Sequence, residues 1–100
     1  MEKTSNSILN KITSSSNNIH QEFEFNKILI SVVMINIETN DLHEYKVFMI
    51  CIDKVNNKSY QELFIKEYSN KNDAFKYYND LINRVKTANE DELFRSIKEQ

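Results

Sequence analysis

The 100-residue chain holds one cysteine, Cys51, and two histidines, His20 and His43. A thiolate–imidazole nucleophile needs its two groups within hydrogen-bond reach. Cys51 and His43 are the only Cys/His pair on one predicted element, and eight residues of extended chain at about 3.3 Å each hold them far apart. Cys51 stands between Ile50 and Ile52, a setting that suits a small buried hydrophobe. A lone cysteine forms no intramolecular disulfide, so the expected setting is reducing and cytoplasmic. One Cys and two His without paired-ligand spacing do not predict a zinc site.

The only local cluster of metal-capable side chains is Glu38, Asp41, His43 and Glu44. Oxygen ligands with one imidazole suit a divalent ion, but a solvated turn explains the same residues, and no metal or other cofactor is predicted. Glu90, Asp91 and Glu92 read as favourable charges at a helix start rather than as an acid/base pair. With no glycine anywhere, the chain lacks the phosphate-cradling loops of P-loop enzymes and of dinucleotide-binding folds. No convergent nucleophile, base and orienting group is legible, and the protein is expected not to be an enzyme.

Thirteen bases against 15 acids give a net charge of −2, which supplies no bulk attraction to nucleic acid or anionic lipid. The sequence from Met1 to Lys11 lacks the apolar run of a secretory signal. The apolar stretch Ile28 to Ile37 falls well short of the ~20 residues that span a bilayer. No membrane association is expected. Proline is absent too, and 14 Asn, 12 Ile and 11 Lys stand beside 2 Arg. That bias resembles AT-rich coding, as in a low-GC bacterium, its mobile elements or an AT-rich eukaryote.

These side chains must be placed by elements of two periods. Residues 1–22 are read as a flexible N-terminal segment: Ile8, Leu9 and Ile12 share one face of a possible short helix, and the polar run from Thr13 to Asn18 reads as a connector. Residues 23–100 are read as one domain. Three stretches rich in β-branched and aromatic residues, about Phe23 to Glu38, His43 to Val55 and Ser59 to Tyr68, predict strands. Asn40-Asp41 and Asn56-Asn57 separate them, and Asn tolerates the positive φ that a tight turn demands. Helix 70–86 follows, with Asn70 as N-cap and an apolar stripe of Ala74, Phe75, Tyr78, Leu81, Ile82 and Val85. A short closing helix starts at Thr87 or Asn89 and carries Leu93, Phe94 and Ile97. The predicted fold is α+β: a three-stranded antiparallel meander packed by a C-terminal helix, with short helices at both ends.

Turns centred at 40–41 and 56–57 place Val33 opposite Phe48, Ser31 opposite Ile50, Phe48 opposite Ile65 and Ile50 opposite Leu63. One sheet face then carries Leu29, Val33, Ile35, Phe48, Ile50, Ile52, Leu63 and Ile65. The other carries Met34, Tyr45, Met49, Cys51, Tyr60, Phe64 and Tyr68, among others. An antiparallel sheet with two apolar faces requires cover on both. The candidate covers are the N-terminal helix, the C-terminal helix and a second molecule.

Tyr and Met are enriched at interface cores, so a partner-binding face is expected at Met34, Tyr45, Met49, Tyr60, Phe64 and Tyr68. The acidic tip, Glu38, Asp41 and Glu44, would meet a basic surface on the partner. The expected function is non-enzymatic binding of a protein partner, as an inhibitor or regulator that occupies its surface, with homodimerisation through the same face. Small acidic proteins of phages and mobile elements offer an analogy in size and composition alone. The alternative is a nucleic-acid-binding module using the strand lysines Lys46, Lys54, Lys58 and Lys66. The element order is similar to that of double-stranded RNA-binding domains. Where that family opens its last helix with phosphate-gripping lysines, this chain has Asn70, Lys71, Asn72, Asp73, Ala74 and Phe75, so nucleic acid is an unlikely partner and the family is not assigned.

Overall fold

A computed structural model describes residues 18–39 and 42–100. Four strands, β1 (Ile19–Glu24), β2 (Ile28–Thr39), β3 (Leu42–Asp53) and β4 (Lys58–Tyr68), precede two helices, α1 (Lys71–Thr87) and α2 (Glu90–Lys98). The strands form one antiparallel sheet in sequence order, β1-β2-β3-β4. The fold is α+β, and the meander has one strand more than the sequence pattern predicts. The possible helix at Ile8, Leu9 and Ile12 lies outside the described residues.

The extra strand starts inside the stretch read as a flexible segment. In β1, Ile19 and Phe23 are half-buried while His20, Gln21, Glu22 and Glu24 are exposed. Four polar residues in six mask the period-2 signal, as an edge strand permits. The predicted strand from Phe23 to Glu38 is in fact broken by a turn, closed by the Phe25 N–H donating to the Ile28 carbonyl at 2.9 Å. Neither Gly nor Pro marks this turn, and its one signal is a lone Asn26 where the other turns carry Asn-Asp and Asn-Asn pairs.

The β2–β3 register runs without a slip from Ile28 opposite Asp53 to Thr39 opposite Leu42, with Val33 opposite Phe48 and Ser31 opposite Ile50, as the sequence pattern predicts. The β3–β4 register slips twice, between Val47 and Met49 and between Met49 and Cys51. Each slip gives β4 an extra residue, and Glu62 and Phe64 take positive φ values of 53° and 54° there. Two residues opposing one is the signature of a β-bulge, which bends the strand and re-aims its side chains. Leu63 therefore lies opposite Met49 rather than Ile50, and its side chain joins the other face.

Both helices pack on that face. Ile28, Ile30, Val32, Met34, Val47, Met49, Cys51 and Leu63 form one core with Ala74, Tyr78, Leu81, Ile82 and Val85 of α1 and Leu93 and Ile97 of α2. The helices start where the sequence places their caps. The Asn70 side-chain oxygen accepts from the N–H groups of Asn72 and Asp73 at 2.7 and 3.2 Å. Asn89 does the same for Asp91 and Glu92 at 2.9 and 3.3 Å. Each cap satisfies two N–H groups that have no partner within the helix. Phe75 alone departs from the predicted stripe: it is 46% exposed and stacks on Tyr78 with ring centroids 6.1 Å apart.

The opposite face holds a smaller cluster, Val33, Phe48 and Ile50, with Ile35 packed against it.

Candidate functional site

The structure divides the residues expected to form one interface. Met34 and Met49 are buried in the core beneath the helices. They are the cover's contacts, not a surface awaiting one, because both C-terminal helices pack on this face. The unmatched apolar face is the other one. Tyr60 lies opposite Cys51, toward the β3–β4 turn, where its ring meets Phe94 edge-on at 6.1 Å. Phe64 sits mid-strand with the Arg84 guanidinium 5.0 Å from its ring centre.

Tyr45, Tyr68 and Glu44 do come together, at the end of the sheet that carries the β2–β3 turn. Tyr45 and Tyr68 are cross-strand partners, and Tyr68 lies 6.0 Å from Tyr77 of α1. The Tyr77 hydroxyl donates to the Phe64 carbonyl at 2.6 Å, and burial pushes the Tyr77 phenol above its ordinary pKa. Beside the tyrosines, Leu42, His43, Glu44, Glu67, Tyr68 and Ser69 line an open cleft of ≈ 240 Å³. Leu42 is 54% exposed. Glu38 takes its place in β2 opposite His43, its side chain outside the described residues; Asp41 lies outside them altogether.

Sequence reasoning missed Leu42, Glu67 and Ser69. Leu42 follows Asn40-Asp41 and reads as part of a polar turn. Glu67 and Ser69 reach the cleft only because β4 returns beside β3.

The strand lysines are mostly engaged within the chain. Lys46 pairs with Glu67 at 3.6 Å and Lys54 with Glu24 at 3.1 Å. Lys54 also donates to the Phe25 carbonyl at 2.7 Å, and the Lys66 ammonium lies 4.7 Å from the Tyr77 ring centre. Lys58 is exposed.

The far end of the sheet is held by two carboxylates. One oxygen of Glu90 accepts from the Lys27 and Ile28 N–H groups at 2.7 and 3.2 Å, which ties the start of α2 to the start of β2. Asp53 is buried at the β3–β4 turn. It accepts from the N–H groups of Val55 and Asn56 at 3.0 and 3.1 Å and from the Asn56 side-chain amide at 2.9 Å. The Asn56 side-chain bond leads in holding the Asp53 carboxyl below its usual pKa. Burial, aided by the Asp53 charge, pushes the Cys51 thiol up to about 12, so Cys51 is no nucleophile at neutral pH. Among the described residues no three of His, Cys, Asp and Glu gather as metal ligands, and no helix is long and apolar enough to cross a membrane.

The chain matches no family model, no curated protein and no solved structure.

Proposed function

We propose that this is a non-enzymatic binding protein that acts by occupying a partner protein's surface through the end of the sheet at the β2–β3 turn. The observation that carries this reading is the open cleft there, in which the exposed Leu42 stands beside Tyr68, Glu44 and Glu67. An apolar and tyrosine contact inside a charged rim is the composition of a protein-recognition patch. Its acidic sign favours a partner with Lys or Arg around an apolar centre, where opposite charges speed association and fix register. Intramolecular contacts of Lys46, Lys54 and Lys66 favour this reading over a lysine-dependent nucleic-acid module.

The test is affinity capture from the native host by the wild-type chain and by the Leu42→Asp/Glu44→Lys variant in parallel. A protein retained by the wild type and lost with the variant supports the reading. It must then bind the purified chain in calorimetry, with an affinity that falls as salt rises. Equal retention by both chains, or no retained protein, overturns it. So does salt-sensitive binding of duplex DNA or RNA unaffected by the variant.

A further inference from the structure

We propose that residues 1–12 of this chain dock on the sheet face opposite the helices, with Ile8, Leu9 and Ile12 seated over Val33, Ile35, Phe48 and Ile50. Val33 is 0% exposed, Ser31 3%, Ile50 4% and Phe48 5%. Among the described residues both helices lie on the other face, so none of the described elements covers these four. On the flanking strands of the same face, His20, Glu22, Glu24 and Ile65 are exposed. Cover is thus confined to the middle of the sheet. Two neighbouring strands about 4.8 Å apart match one helix, which is about 10 Å wide.

The chain itself supplies such an object. Ile8, Leu9 and Ile12 lie at the i, i+1, i+4 spacing of one helical face. The described chain begins at Asn18, whose side-chain oxygen accepts from the Asn36 N–H at 3.0 Å, one residue beyond Ile35 in β2. The five residues 13–17 can reach up to about 17 Å when extended. That exceeds the one or two strand spacings needed to turn back over β1 onto β2 and β3. A second copy would leave the face open in the monomer, which the burial of Val33 argues against. The proposal concerns the middle of this face, whereas the cleft lies at the sheet end beyond Lys46, and it stands apart from the binding function.

The chain has no tryptophan, so Ile35→Trp at the rim of the cluster provides a single reporter in the full chain. Blue-shifted emission is expected. It should move to longer wavelength when Ile8→Asp and Ile12→Asp are added, while sedimentation shows a monomer before and after. Emission that ignores the two substitutions overturns the proposal. A wild-type dimer whose emission shifts on dilution also overturns it and makes a second copy the occupant. If the doubly substituted chain loses its fold, a benzoylphenylalanine photo-crosslinker at Leu9 in the otherwise wild-type chain decides instead. Crosslinks within one chain to the 33–35 or 48–50 peptides support the proposal; crosslinks to α1, crosslinks between chains, or none overturn it.

Discussion

The two hairpins that share β3 are built on different principles. In β2–β3 the ladder is unbroken, and alternate residues are apolar on both faces. Alternation on both faces specifies that register, since a slip of one residue would exchange every side chain between the core under the helices and the opposite face. In β3–β4 the ladder slips twice, and two residues without glycine's freedom, Glu62 and Phe64, sit in the left-handed region. There the backbone is held from outside. The Phe64 N–H donates to the Gln100 side chain at 3.1 Å and its carbonyl accepts from Tyr77 at 2.6 Å. One hairpin thus keeps the register its alternation specifies, while the other takes a register its own pattern does not specify, held at Phe64 by Tyr77 and Gln100.

The largest effect should come from the self-specified hairpin. Phe48→Ala removes a buried ring from the pairing with Val33 and should cost about 2–5 kcal/mol in urea unfolding, a large share of a typical domain's roughly 5–15 kcal/mol. A loss below that of the next substitution would invert the comparison.

Tyr77→Phe removes only the hydroxyl that holds the Phe64 carbonyl, and a loss of about 1 kcal/mol is expected. Amide hydrogen exchange should show faster opening confined to β4, with β2–β3 unchanged. Equal acceleration in both hairpins would show that the tether is not local to the bulge.

The smallest effect concerns the positive-φ positions themselves. A left-handed L-residue costs roughly 1–2 kcal/mol, so Glu62→Gly should raise stability, by less than about 1 kcal/mol once glycine's added unfolded-state entropy is offset. Asn57 also has positive φ, 57°, in the β3–β4 turn, but its short polar side chain tolerates that conformation. Asn57→Gly should therefore gain less than Glu62→Gly in the same thermal melt. The reverse order would mean that the bulge at Glu62 carries no strain.

Much of this is legible in the sequence. The Asn caps at 70 and 89, the stripe of α1 and the pairing of Val33 with Phe48 are local or period-2 signals, written within a dozen residues of where they act. Strand β1 escaped because four of its six residues are polar and only Ile19 and Phe23 turn to the core. The turn before β2 is marked only by a lone Asn26, a weaker signal than the Asn-Asp and Asn-Asn pairs of the other turns. The bulges escaped for a different reason. Nothing in Glu62-Leu63-Phe64 requires positive φ, and the partners that satisfy the displaced Phe64 backbone, Tyr77 and Gln100, are distant in sequence.

For the candidate site, the sequence by itself determined that acidic residues and tyrosines flank the strand ends, since their types and numbers are local facts. Only the tertiary structure decided that Glu44 and Tyr68 line one cleft with Leu42 and Glu67, with Tyr45 opposite Tyr68, while Tyr60 goes to the other end. It also decided which apolar face the helices take. Alternation marks two apolar faces equally well, and the choice between them depends on how α1 crosses the sheet after β4. That crossing buried Met34 and Met49 and left the face of Val33, Phe48 and Ile50 to a different cover. A period of two carries no sign, so the handedness of the return was the missing information.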